Sequence, residues 1–355
     1  MKPLNDGFIY EIEGLPIFQN RMYDSEQEAI NCPKGNVRLI EDPDTGLIYN
    51  QLFDPKLVNY DQNYQNEQGI SPSFRSHLHQ VSQIIEDFMG KSNLVEVGCG
   101  KGLFLEMLQE KCFEIIGFDP TYEGNNKSIE RRYFTGDVGL NAKGLILRHV
   151  LEHIQNPIDF LFQLKKANHD AGKIYIEVPC FDWICEHRAW FDIFYEHVNY
   201  FRLADFYRLF DKIWSSGRIF GGQYLYVVAE LSTLRVPEKD QHHPIKFPQN
   251  FTQTLTKYLD LNRESKVGIW GGASKGVIFS LLISRYGNPV DAVFDINPAK
   301  QNKYLPATGL KVESPQNLFD ILPQGSLLYV MNSNYLEEIK KMSYNSYNYV
   351  GIDND

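Results

Sequence analysis

The sequence predicts an α/β fold, and two stretches carry that prediction. Leu94-Val-Glu-Val-Gly98-Cys-Gly100-Lys-Gly102-Leu-Phe-Leu-Glu-Met-Leu108 runs from a short apolar strand through a glycine turn into a helix. Lys266-Val-Gly-Ile-Trp-Gly271-Gly272-Ala-Ser274-Lys275-Gly276 repeats strand and turn before an apolar helix at 277–286. Leu94, Val95 and Val97 suit a central parallel strand, and Leu103, Phe104, Met107 and Leu108 recur at helical spacing. Each stretch is a Rossmann-like unit. The expected architecture is therefore a small β-rich module (1–60), a Rossmann-like core (61–235) and a C-terminal Rossmann-like αβ domain (236–355).

Length and composition fit this division. A chain of 355 residues exceeds the usual single domain, and 43% apolar residues supply real cores. Formal net charge is −10 without a basic stripe, so no nucleic-acid partner is expected. With no bilayer-length apolar segment and no signal peptide, we expect a cytoplasmic protein that does not enter membranes. Cys32, Cys99, Cys112, Cys180 and Cys185 include no C-x-x-C pair and read as reduced thiols.

The elements follow in order. Gly7–Ile12, Leu15–Phe18, Val37–Ile40 and Leu47–Asn50 alternate with Asn, Asp, Pro and Gly turns and read as strands of the first module. Ser71 caps a helix over about 73–88 with Pro72 at its first position. In the glycine turn the third glycine comes one residue too early for a dinucleotide fingerprint, and Glu96 precedes the turn. A carboxylate there repels phosphate and suits a cationic ligand. Asp119 ends the next strand, placed for both hydroxyls of a ribose, and Thr135-Gly136-Asp137 offers a third strand-end acid. The fourth strand enters Arg148-His149-Val-Leu-Glu152-His153, where His149 and His153 are candidate bases, a structural role being the other reading. A helix over 157–167 and a strand over 173–179 come next.

Residues 180–203 alternate aromatics with histidines, and Phe191, Phe194, Tyr195 and Val198 fall at helix-like intervals, as in a lid helix. Residues 217–229 read as a hairpin closing the sheet. Pro237, His242, His243 and Pro244 mark a linker over 231–250.

Glu96, Gly98, Gly100, Gly102, Asp119 and Asp137, taken in that order, resemble the class I S-adenosylmethionine-dependent methyltransferases. The resemblance implies S-adenosylmethionine as cofactor, held by those six residues. The layout and further motifs resemble, more narrowly, the C-methyltransferases that act on nucleotide-linked deoxysugars. That family usually holds zinc in its N-terminal module; here Asp42-Pro-Asp-Thr45-Gly46 stands where its second cysteine pair would be. We therefore expect no zinc and no other metal. The resemblance places Tyr64 and Ser71 over the methyl donor. Phe191-Asp-Ile-Phe194-Tyr195-Glu196-His197-Val-Asn-Tyr200-Phe201 resembles the family's F-D-x-I-Y-x-E-H-x-x-Y-F, in which tyrosine and histidine serve the chemistry. His197 and Glu196 match; the family tyrosine falls on Phe194, with Tyr195 one place later. The resemblance implies nucleotide-sugar contacts from Gly222, Lys275, Asn297, Lys300, Lys303 and Tyr304.

The expected activity is methyl transfer to a nucleotide-linked 4-keto deoxysugar, by C-methylation through an enolate. O- or N-methylation of a sugar nucleotide or related small molecule stays open, as do a non-catalytic cofactor-binding scaffold and an oxidoreductase that uses one turn for a dinucleotide. Monomer and homodimer are both compatible with the sequence.

Overall fold

The computed structural model describes residues 7–58, 64, 67–139, 141–261 and 266–353, and among these the strands form three sheets. In the N-terminal sheet Phe8–Pro16 pairs antiparallel with Lys34–Glu41, which pairs with Ile48–Asn50. Its fourth strand, Asn199–Tyr200, comes from far down the chain and pairs Tyr200 with Ile48 and Asn199 with Tyr49. The N-terminal sheet is thus completed by the segment that follows Glu196 and His197. At the turn after Lys34–Glu41, Asp42 Oδ1 accepts from the amides of Asp44 and Thr45 and from the Thr45 hydroxyl. An Asx turn therefore occupies the position of the resembled family's cysteines.

The central sheet has seven strands, in the order Ile213–Ile219, Tyr224–Glu230, Lys173–Pro179, Gly144–Arg148, Leu94–Val97, Ile115–Phe118 and Ile129–Glu130. The last five run parallel; Tyr224–Glu230 and Ile213–Ile219 form the expected antiparallel hairpin. Strand order reverses at Leu94–Val97, between Ile115–Phe118 and Gly144–Arg148, which opens a crevice at the carboxyl ends of these strands. The strand Leu94–Val97 is buried along its whole length, as a parallel strand covered on both faces requires.

Pro72–Met89 is a helix because Ser71 accepts from the Phe74 amide at 3.3 Å, Pro72 fixes the first turn and Gly90, at φ 78°, ends it. It lays Phe74, Leu78, Val81, Ile85 and Met89 on the central sheet, and each such burial contributes about 1.5–3 kcal/mol.

The C-terminal sheet is parallel throughout, in the order Val312–Glu313, Ala292–Phe294, Val267–Trp270, Leu327–Val330 and Asn348–Gly351. Its switch point is Val267–Trp270, followed by the helix Ser274–Arg285. Trp190 stacks on Phe279 of that helix, with centroids 5.6 Å apart and planes 14° apart, and fixes the helix against the central region.

The expected lid helix is a correction. Residues 180–203 contain the short helix Phe181–Glu186, one 3₁₀ turn at Trp190–Asp192 and then extended chain. Phe191, Phe194, Tyr195 and Val198 are all buried, so their spacing reflects burial from several sides rather than one helical face. No helix among the described residues is long and apolar enough to cross a membrane.

Candidate active site

The glycine turn after Leu94–Val97 and the strand ends beside it make the first half of the site. Gly98 and Gly102 have φ of 74° and 83°, and a Cβ would come within 2.5 Å of Val150 and 2.7 Å of Ile129, so only glycine fits. The Gly100 amide donates to Asp119 Oδ2 at 2.7 Å, while Asp119 Oδ1 accepts from the Thr121 amide and hydroxyl. Asp119 is thus locked at the lip of the turn. Glu96 is buried, and its Oε2 has no hydrogen-bond partner among the described residues. Burial pushes its carboxyl up to about 7, opposed by the Arg148 guanidinium. An uncompensated buried carboxylate beside a glycine cradle fits a cationic ligand. Asp137 departs from expectation: the strand ends at Glu130, and Asp137 lies exposed on the following loop, bonded to the Thr135 hydroxyl and 3.9 Å from Arg132.

The second half is a cleft between the carboxyl ends of the central and C-terminal sheets. Tyr64, Ser71, His149, Glu152, His153 and His197 line one side of it. Ser274, Lys275, Asn297 and Lys300 line the other, and Asn20 of the N-terminal module closes one end. Asn20 Nδ2 donates to Ser274 Oγ at 2.9 Å.

Glu177, in the strand beside His149, organises the floor. Its carboxylate meets Arg148 at 3.1 Å, His149 at 3.2 Å, His77 at 2.8 Å and the Tyr175 hydroxyl at 2.8 Å. Although burial disfavours its charge, Arg148 and the two histidines hold Glu177 well below the ordinary carboxylate range. His149 has φ 53° and lies 3.3 Å from Glu152. Burial disfavours its charge too, yet the flanking Glu152 and Glu177 push the imidazole up to about 9.

His153 Nδ1 lies 3.0 Å from the Glu196 carbonyl, and its ring meets that of His197 edge to face at 5.0 Å. His197 packs on Phe194, and burial together with His153 and His149 keeps it well below the ordinary histidine value. Glu196 Oε2 accepts from the Tyr64 hydroxyl at 2.7 Å and Oε1 from the Gln19 amide at 3.0 Å.

Several expected residues point elsewhere. Tyr195 faces away from the cleft: its hydroxyl accepts from the Asp54 amide at 2.9 Å and its ring lies against Phe53 and Gly35. Phe194 lines the cleft in its place. Lys303 pairs with Asp24, and Tyr304 exchanges backbone bonds with Tyr23, so both fasten the N-terminal module rather than line the cleft. Gly222 sits at the hairpin turn against Trp183. Ser71 is tied to Glu338 at 2.7 Å. Lys275 bonds Gln223 at 2.9 Å and Asp192 at 3.2 Å, Lys300 lies 3.6 Å from Asp295, and Asn297 donates to the Glu67 carbonyl at 3.4 Å.

The reading of the sequence missed Asn20, Glu177 and Glu152. An arginine and two glutamates in otherwise apolar stretches around Gly144–Arg148 and Lys173–Pro179 were the available signal.

Residues 70–213 match the family model described as a methyltransferase domain. No curated protein matches the chain. Among solved structures the chain is similar to the 1,6-didemethyltoxoflavin-N1-methyltransferase of Burkholderia thailandensis, at 12% identity over 52% of this chain and 95% of that one, TM-score 0.34. It is also similar to a SAM-dependent methyltransferase from Archaeoglobus fulgidus, at 17% identity over 47% and 100%, TM-score 0.34. A third, a SAM-dependent methyltransferase from Aquifex aeolicus, gives 16% identity over 45% and 94%, TM-score 0.35.

Residues 70–213 are thus a methyltransferase domain, and they contain the glycine turn, Asp119 and the histidines of the cleft. A methyltransferase domain in the chain makes it an enzyme.

Proposed function

We propose that the chain methylates a nucleotide-linked 4-keto deoxysugar at the carbon beside the ketone. The observation that carries this reading is the Tyr64–Glu196 pair, which stands beside His197 and His153 in a cleft closed on its other side by a second glycine turn. S-adenosylmethionine supplies an electrophilic methyl group on a sulfonium. Glu96, Gly98, Gly100, Gly102 and Asp119 are the residues to hold it, the buried Glu96 carboxylate countering its charge; Asp137 is left with no contact that supports such a role.

A carbon beside a ketone becomes a nucleophile only after losing a weakly acidic proton. In this reading the Tyr64 oxygen takes that proton while the phenolic hydrogen passes along the existing bond to Glu196. His197 and His149 are placed to stabilise the enolate oxygen. The enolate carbon then takes the methyl group, the carbon–sulfur bond breaks, and S-adenosylhomocysteine leaves. Lys275, Asn297 and Lys300 line the side of the cleft where the nucleotide diphosphate would lie.

Phe194 favours a second reading. With no hydroxyl at that position the enolate has one donor fewer, which suits transfer to an oxygen or nitrogen that needs only a base. Incubation in deuterated water with nucleotide-linked 4-keto-6-deoxysugars separates the two. Enzyme-dependent deuterium uptake beside the ketone, and a carbon-bound methyl when donor is added, are expected. A methyl on oxygen or nitrogen without exchange overturns C-methylation.

A further inference from the structure

We infer that Glu152, His153 and His197 hold a divalent first-row cation in the wall of the cleft, contrary to the metal-free site expected from the sequence. One ligand atom from each of the three residues lies within 4.8 Å of the others. Two imidazoles and one carboxylate are the donor set of three-ligand zinc sites and of the facial triad that binds iron(II), both of which keep a position open for substrate.

The carboxylate supplies the second, independent observation. Glu152 is 1% exposed, and neither of its oxygens makes a hydrogen bond among the described residues. Oε1 lies 3.3 Å from the Nδ1 of His149, an imidazole that Glu152 shares with Glu177. One histidine between two buried carboxylates leaves Oε2 of Glu152 without a partner among the described residues, an atom that a further cation would satisfy. Glu152 faces the same cleft as the two histidines.

The histidine geometry agrees. His153 directs Nδ1 at the Glu196 carbonyl at 3.0 Å, the arrangement by which a ligating imidazole is oriented through its other nitrogen. The His197 ring stands edge to face with that of His153, so the two rings converge without stacking. Bonds of about 2.0–2.2 Å to a common ion require the donors to draw in by roughly 1 Å. Glu196, whose backbone carbonyl orients His153, is also the partner of Tyr64. A cation here would lie beside the proposed proton acceptor and, with His197 as its ligand, would stabilise the enolate oxygen in place of the His197 ring. This use of the cation rests on the enolate reading; the site does not.

The test is equilibrium binding of Zn²⁺ and Co²⁺ to the full chain after chelator treatment. One ion per chain is expected, with a visible cobalt absorption of mixed nitrogen and oxygen ligation. Glu152→Gln, which keeps shape and removes charge, and His153→Ala should each lower affinity at least tenfold and alter that spectrum. Retained S-adenosylhomocysteine binding shows that the variants are folded, and His243→Ala, on the exposed linker, serves as the control for adventitious binding. Substoichiometric metal, or affinity unchanged in both site variants, overturns the site. Stoichiometric metal with these ligands but no deuterium exchange into any 4-keto sugar upholds the site and overturns the enolate reading. Full exchange by the metal-free chain, with substoichiometric metal in a parallel titration, overturns the site and leaves that reading standing.

Discussion

The Tyr64 hydroxyl donates to Glu196 Oε2 at 2.7 Å across 132 residues of sequence, and the other oxygen of Glu196 accepts from the Gln19 amide at 3.0 Å. One carboxylate therefore joins the N-terminal module, the segment before the methyltransferase domain and the histidine-bearing segment. Tyr64→Phe removes the hydroxyl and keeps the ring that packs on Phe18. Deuterium exchange into the keto sugar should fall by about 10²–10⁴, as for loss of a general acid–base group, while S-adenosylhomocysteine binds as before. Undiminished exchange would assign the proton to another group.

Glu96 gives a pH dependence. Its carboxyl is pushed up to about 7 by burial, so below that pH it is protonated and no longer counters a cationic ligand. Donor affinity should therefore rise with pH through about 7, by about tenfold between pH 6 and 8. Glu96→Gln should bind weakly at both pH values and lose the slope. A slope that survives in this variant points to a different titrating group.

Asp119 accepts from the turn through the Gly100 amide and from the Thr121 amide and hydroxyl. Asp119→Ala frees the Gly100 amide and deletes the carboxylate that we propose for the donor's ribose. S-adenosylhomocysteine affinity, measured calorimetrically, should weaken by roughly 1.5–3 kcal/mol, the size of a hydrogen bond to a charged group.

Glu177 bears on stability more than on chemistry. Arg148 and Glu177 form a buried pair with Nε and Oε2 at 3.1 Å, and Glu177→Gln leaves the guanidinium without its counter-charge. The loss should be about 3–5 kcal/mol in denaturant unfolding. Because Glu177 titrates below its unfolded value of about 4.3, its contribution is complete above that pH and fades as pH falls toward the folded value. The glutamine variant should accordingly show a shallower loss of stability below about pH 4.3.

The legible parts of this protein are those whose residues are neighbours in sequence. Glu96, the three glycines and Asp119 span two consecutive strand–turn units, and sheet physics alone places them together. Tyr64 with Glu196, His77 with Glu177 and Lys303 with Asp24 are joined only by the packing of separate elements. The segment after Trp190 misled for another reason. Its aromatics are buried against the N-terminal sheet and the helix Ser274–Arg285, so apolar residues occur at nearly every position and any period can be read into them. Asp137 was assigned to a strand end on motif alone, and the loop after Ile129–Glu130 carried it away.

Phe194 and Tyr195 divide what the resembled family's tyrosine would combine. Tyr195 turns its hydroxyl to the Asp54 amide and is 1% exposed, so Tyr195→Phe strips a partner from that amide without touching the cleft. We expect a stability loss of about 1–3 kcal/mol, read from the unfolding midpoint, with exchange and methyl transfer at the wild-type rate. Phe194→Tyr adds a hydroxyl to a ring that lines the cleft and packs on His197 at 4.8 Å. If the acceptor is an enolate, the new donor should speed exchange; if it is a heteroatom, the added oxygen crowds the cleft and only slows transfer. A Tyr195→Phe variant that folds normally and loses turnover would return Tyr195 to the chemistry.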